Sequence, residues 1–408
     1  MESYIQDWLN LIFRWLHVTA GIAWIGASFY FNWLEGRLEN APQAKQKKGI
    51  KGELWAVHGG GFYEVNKYRL APEKMPETLH WFKWEAYVTW LSGFGLLAII
   101  YYWGAESYLL AADSPLSSAS AIAVSVFSLF LSWLAYDFLC RTRLFNHEKQ
   151  FSAVLFGLIV FSAWGYAQLF SDRAAYIHVG ALIGTLMVGN VFQIIIPSQR
   201  KLVDAAQRGD SSFDPAIAQH ALLRSRHNNY FTLPLLFIMI SGHYPMTYGH
   251  ELNWAILAAL SLAAILIRHF FNRRNQGAVL TWLWPTAAVV MLSLAFVIRP
   301  QMAPMPEVAE APAFDEQAIV EIVTNRCSTC HAAKPTDPLF RVAPGGLIFD
   351  DYESIASKAD KIYSQAVLTH IMPLANRTEM TEEERQLLGQ WYQQLKSEAD
   401  NAVKVSMN

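Results

Sequence analysis

The chain of 408 residues is 53% hydrophobic and only 16% charged. That balance sets aside an ordinary soluble domain and points to a membrane protein that carries a soluble part. A formal net charge of −2 supplies no basic field for nucleic acid, which is excluded as a partner.

Eight segments, near 9–33, 82–103, 119–141, 151–170, 174–196, 229–245, 252–271 and 278–298, approach the roughly 20 apolar residues needed to cross a hydrocarbon core of about 30 Å. The first has no basic region before it and reads as a retained span rather than a cleaved signal. The expected fold is all-α: a polytopic transmembrane helical bundle over 1–300, a linker at 301–313, and a small separate domain over 314–408. Lys and Arg crowd the first, third, fifth and seventh loops, with Arg37, Lys45, Lys67, Arg143, Arg200, Arg224 and Arg273 among them. The loops near 104–118 and 246–251 carry none. Positive charge stays on the cytoplasmic side, so the lipid bilayer is the expected partner and both termini are expected to lie outside.

Ionisable residues inside spans are expensive and are functional candidates by default. His17 in "FRWLHVTAGIAWIG" and His178 in "YIHVGALIG" are the two catalytic candidates, with His243 in "SGHYP" as a third histidine in the outer half. His80, His227 and His269 fall near the inner face. Paired imidazoles on facing helices are a usual clamp for a b-type haem, so a haem b in the membrane part is one reading of His17 and His178. Substrate proton transfer is a second reading, and hydrogen bonding between helices a third.

The first loop reads "HGGGFYEVNKYRLAPEKMPETLHWFKWEAYVTW". Its glycines let backbone approach a ligand, while its aromatics and basic residues would suit a planar anion. His58, Gly59, Gly60, Phe62 and Lys67 are therefore the candidate substrate-binding set. The alternative is a glycine-rich turn followed by an interfacial aromatic belt. No Gly-Lys-Ser/Thr follows, so a phosphate loop is excluded, and no Gly-x-Ser-x-Gly accompanies the glycines, so a serine hydrolase is excluded too.

After the Pro- and Ala-rich "RPQMAPMPEVAEAPAF", the stretch "DEQAIVEIVTNRC" predicts an amphipathic helix that delivers Cys327 at its end. "RCSTCH" is the attachment motif of c-type haem: Cys327 and Cys330 form thioethers with the porphyrin, and His331 ligates the iron. Cys140 stands alone in an apolar stretch and reads as a packed free thiol. A second helix, "MTEEERQLLGQWYQQL", opens with a capping box of Thr381 and Glu384. Met372 in "HIMPLANRTEM" precedes Pro373 and is the expected sixth ligand, ahead of Met380, which adjoins the helix cap, and His370. The Met-Pro loop resembles that of class I cytochromes c, so 314–408 is expected to be a small class I cytochrome c domain. Since c-type haem is attached on the outer side of a bacterial inner membrane, that membrane is the expected location, with both termini and the cytochrome domain periplasmic.

The combination of "LHVTAGIAWIG", the "HGGGFYEVNKYRLAPEKMPETLHWFKWEAY" loop and the terminal "CSTCH" closely resembles the bacterial membrane-bound urate oxidases, or urate hydroxylases, with a C-terminal cytochrome c domain. The resemblance covers essentially the whole chain. It implies oxidation of urate to 5-hydroxyisourate in purine catabolism, with water supplying the oxygen. Electrons would pass to haem c and on to a periplasmic cytochrome or terminal oxidase, and no peroxide would form. It transfers no catalytic residue, and it does not say on which side of the membrane urate binds. A quinol-oxidising or other electron-transfer membrane cytochrome is the alternative. A transporter is disfavoured, since no inverted repeat is evident.

Overall fold

The computed structural model describes residues 2–69, 71–111, 114–210, 214–299, 315–337, 340 and 342–406. The expected linker at 301–313 lies outside the described residues. Leaving single turns unlabelled, the helices of the first part are α1 (Glu2–Arg37), α2 (Trp84–Leu97), α3 (Ser118–Leu139), α4 (Glu148–Leu169), α5 (Asp172–Gly189), α6 (Ile196–Gln207), α7 (Pro215–Ile240), α8 (Asn253–Asn275) and α9 (Leu283–Val297). Five stretches are long and apolar enough to cross a membrane: Tyr4–Arg37, Ser118–Leu139, Glu148–Leu169, Asp172–Gln207 and Asn253–Asn275. The fourth joins α5 to α6 through a π-helical segment, Asn190–Ile195.

The remaining three expected spans are helical but differ in kind. Helix α2 has 14 residues and passes into π-helical turns at Ala98–Tyr102 and Ala105–Leu109. Helix α7 is polar in its first half and carries Pro234 inside. Helix α9 is apolar but only 15 residues long.

The fold is not purely helical. Between α1 and α2 lies a three-stranded antiparallel sheet, β1 (Glu39–Asn40), β2 (Ile50–His58) and β3 (Gly61–Tyr68), in that order. Over its first residues β2 alternates between covered and exposed, with Ile50, Gly52 and Leu54 buried and Lys51 and Trp55 exposed, as a half-buried strand must. Positive φ at Gly59 (56°) and Gly60 (80°) forms the two-residue turn that joins β2 to β3, a geometry that glycine adopts without strain. The glycines read from sequence as a ligand cradle form this turn, the alternative the sequence also offered.

The bundle buries polar groups as well as apolar ones. Arg224 on α7 is fully buried; its Nη2 donates to Asp137 Oδ1 at 2.7 Å and its Nη1 to Asn190 Oδ1 at 3.0 Å. Asn190 Nδ2 in turn donates to Asn228 Oδ1 at 2.8 Å and to the Tyr136 hydroxyl at 3.0 Å. Nearly every member is paired, which is the condition for keeping charge in an apolar interior. The network ties α3, α5 and α7 together.

The C-terminal part has its own apolar core, built from Ile319, Ile322, Val323, Ile355, Leu388 and Trp391 with their neighbours. Helix α10 (Glu316–Arg326) is capped by Asp315, whose carboxylate accepts from Gln317 N. Helix α11 (Glu382–Ser406) opens with the expected capping box: Thr381 N donates to Glu384 Oε2 at 2.7 Å, and Glu384 N donates to Thr381 Oγ1 at 3.3 Å. Arg326 Nε joins the two helices by donating to Glu384 Oε1 at 2.9 Å.

Candidate functional site

A cavity of about 900 Å³ lies where the C-terminal part meets one end of the helical bundle. One wall holds Cys327, Cys330, His331, Leu347, His370 and Met372. The other holds Tyr108, Phe170, Asp172, Arg173, His243 and Tyr248. Loops after the second, fourth and sixth expected spans thus converge on the C-terminal part. At the opposite end of the bundle, Gly36 packs on Asn275 and Arg226 pairs with Glu148 at 3.6 Å. The two parts touch closely at Gly249, where an added Cβ would stand 2.8 Å from Ile371 Cδ1 and 2.9 Å from Thr369 Cβ.

The first wall brings together the sequence-predicted thiols, imidazole and thioether. Cys327 caps the end of α10, its N–H donating to Val323 O at 2.8 Å, so the helix fixes where the thiol enters the cavity. Burial pushes the Cys327 thiol up to about 12, and burial also raises Cys330, so both are neutral at physiological pH. His331 Nδ1 sits 3.1 Å from Leu347 O. A proton on Nδ1 satisfies that carbonyl and leaves the lone pair on Nε2, the tautomer a metal ligand requires. Burial lowers the His331 pKa, against a smaller rise from the Leu347 carbonyl, which favours this neutral form.

Met372 is held by its backbone: its N–H donates to Gln365 O at 2.9 Å, and its carbonyl accepts from Arg385 Nη1 at 2.8 Å. Met380, by contrast, is 4% exposed in the core of the C-terminal part. Among the described residues no group of three or more His, Cys, Asp or Glu side chains could hold a metal ion unaided. Two thiols, a neutral imidazole and a thioether around one large cavity fit a covalently attached haem c. Cys327, Cys330, His331 and Met372 would hold it.

The membrane-part histidines have different surroundings. His17 packs from α1 against α2, with Nδ1 2.9 Å from Thr89 O; a Cβ at Gly93 would stand 2.8 Å from its ring. His178 is fully buried. Its Nδ1 lies 2.7 Å from Ala174 O and its Nε2 2.7 Å from Ser125 Oγ, and Tyr166 and Phe170 pack around the ring. Both His178 nitrogens are engaged by protein, and the two histidines are held by different helices rather than aimed at each other. Similar depth along two helices does not fix the direction in which each side chain points, which is why the sequence paired them. Of the histidines read as outer, His243 alone lines the cavity.

The expected substrate-binding set lies on the hairpin. His58, Gly59 and Gly60 are exposed at its turn, and Phe62 is 80% exposed. Lys67 pairs with Glu35 of α1. His58, Gly59, Gly60 and Phe62 form an open hairpin end rather than an enclosed pocket, and Lys67 lies toward the other end of β3, opposite Gly52.

Sequence reasoning missed Arg173, Asp172, Tyr108 and Tyr248. The one available signal was the charged pair Asp172-Arg173 at the head of an apolar run, which reads equally well as the flank of a span.

The family model described as urate oxidase N-terminal matches residues 3–299. No curated protein and no solved structure gives a match.

Proposed function

Since the chain belongs to the urate oxidase N-terminal family, we propose that it is a membrane-bound urate oxidase that passes electrons to a haem c held by its own C-terminal part. The observation that carries this reading is the shared cavity, in which Cys327, Cys330, His331 and Met372 face the helical bundle. The loops at the cavity end are the ones poor in Lys and Arg, and on the positive-inside rule this supports an outer, periplasmic C-terminal part at a bacterial inner membrane. When bound, haem c supplies one-electron acceptance at a potential that thioether ligation raises. The chain's own residues do the rest: Cys327 and Cys330 anchor, His331 and Met372 ligate, and the Leu347 carbonyl and Arg385 hold those two in place. Urate monoanion and water give neutral 5-hydroxyisourate, one proton and two electrons, so the acceptor must be emptied twice per urate, by a periplasmic cytochrome or a terminal oxidase.

The test is anaerobic addition of urate to detergent-solubilised protein while the haem c absorbance is followed. Reduction by urate without oxygen is the expected result. Stoichiometric peroxide in air, or reduction by quinol but not urate, would replace this reading with that of a soluble-type oxidase or a quinol-oxidising cytochrome.

Two further outcomes follow from the geometry. Met372→Ala is expected to lose the Met-to-iron charge-transfer band with the fold intact. Met380→Ala should keep that band and lose about 2–5 kcal/mol of stability as a core truncation; denaturant titration with absorbance spectra checks both. Gly249→Val should push Ile371 and Thr369 off the bundle, lowering the rate of urate-driven haem reduction by up to about 100-fold for a misplacement near 1 Å. Stopped-flow absorbance would show it, with the spectrum of the oxidised protein unchanged.

A further inference from the structure

The bundle-side wall of the cavity carries a cation that no carboxylate among the described residues pairs with. Arg173, at the start of α5, makes no hydrogen bond or ion pair among the described residues, and its Nε is buried without a partner. The adjacent carboxylate is already engaged: Asp172 Oδ1 accepts from Asn253 Nδ2 at 2.9 Å. The guanidinium lies against Gly242, where an added Cβ would stand 3.3 Å from both Nε and Nη2. Glycine at this position therefore leaves the Arg173 side chain its place on the wall.

An unsatisfied buried donor on a full positive charge is costly, and the cost is relieved when an anion enters. His243, next in the chain to Gly242, is exposed and lines the same wall, as do the rings of Tyr108, Phe170 and Tyr248. The wall thus offers a cation, flat apolar surfaces and an imidazole open to solvent.

We infer that Arg173 is the substrate-anion subsite, holding the urate monoanion on the bundle side of the cavity with His243 placed to take up the single proton released. The inference rests on the urate reading above. It adds that the substrate binds at the outer end of the bundle, beside the wall that holds Cys327 and His331, so that electrons need not cross about 30 Å of hydrocarbon. A carboxylate of the haem offers Arg173 the same chemistry, and the experiment separates the two.

The full-length holoprotein in detergent is assayed without oxygen for urate binding by equilibrium dialysis, for covalent haem content and for haem c midpoint potential. Arg173→Gln should raise the urate Kd roughly tenfold to a hundredfold, the range for loss of one charge-assisted pair, with haem content and potential unchanged. Arg173→Lys should recover most of the affinity. Gly242→Ala, which crowds the guanidinium without removing it, should weaken binding less than Arg173→Gln and provides the test if Arg173→Gln does not assemble. An unchanged Kd in the variants that assemble overturns the inference, and a shifted potential with unchanged Kd would assign Arg173 to a haem carboxylate. If the wild type reduces its haem with urate while the variants bind urate normally, only the inference fails. If the wild type neither binds urate nor is reduced by it, the functional reading fails with it.

Discussion

Replacing both Cys327 and Cys330 with serine is expected to remove all chain-bound haem and, with it, anaerobic urate oxidation. The argument is one of geometry. Thioether attachment needs thiols that reach the macrocycle, and these two line the cavity beside His331. The third cysteine cannot substitute, because Cys140 is 2% exposed and packed in the core of the helical bundle. A haem stain on a denaturing gel reports the covalent bond directly, independent of activity. His331→Ala provides the finer comparison: the stain should persist while the low-spin spectrum is lost, since attachment and ligation rest on different side chains. Retention of stain in the double serine variant would mean that no thioether is made here, and the electron-acceptor role of the C-terminal part would fall with it.

The largest expected effect on stability comes from the buried network around Arg224. Asp137→Ala leaves the fully buried guanidinium without its carboxylate, a loss of about 3–5 kcal/mol for an uncompensated buried charge. Arg141→Ala is the control on the same carboxylate. The Arg141 side chain is 71% exposed and bonds Asp137 from the surface at 2.6 Å, and exposed pairs contribute about 0–1 kcal/mol. Thermal unfolding in detergent should therefore separate two substitutions that remove partners of one ion pair network. Equal losses would show that Arg224 finds other compensation, for which Asn190 Oδ1 is the nearest acceptor in the structure.

Much of this protein is written in local patterns. The apolar runs marked the bundle helices, because a membrane-length helix needs only its own residues to satisfy its backbone. The proposed haem site at Cys327, Cys330 and His331 was legible because haem attachment depends on spacing within one short peptide, and the structure sets all three on one cavity wall. The Thr381–Glu384 capping box was legible for the same reason, being closed by groups three residues apart. Met372 was distinguishable from Met380 because a residue beside a helix cap tends to pack inward, and Met380 does. The hairpin was missed where one sequence feature supports two structures: glycines that free backbone for a ligand also form a tight turn, and pairing between strands decides which use they serve. The surroundings of the histidines were illegible for a related reason. Position along a helix gives depth, but the direction of a side chain depends on which helices pack beside it, and His17 and His178 are turned toward different neighbours. Only the tertiary structure could bring Arg173, His243 and Tyr108 to the cavity that holds His331, because these residues are separated by scores of positions in the chain. What joins them is the convergence of alternate loops at one end of a bundle, a property of the packed helices that no short stretch of sequence contains.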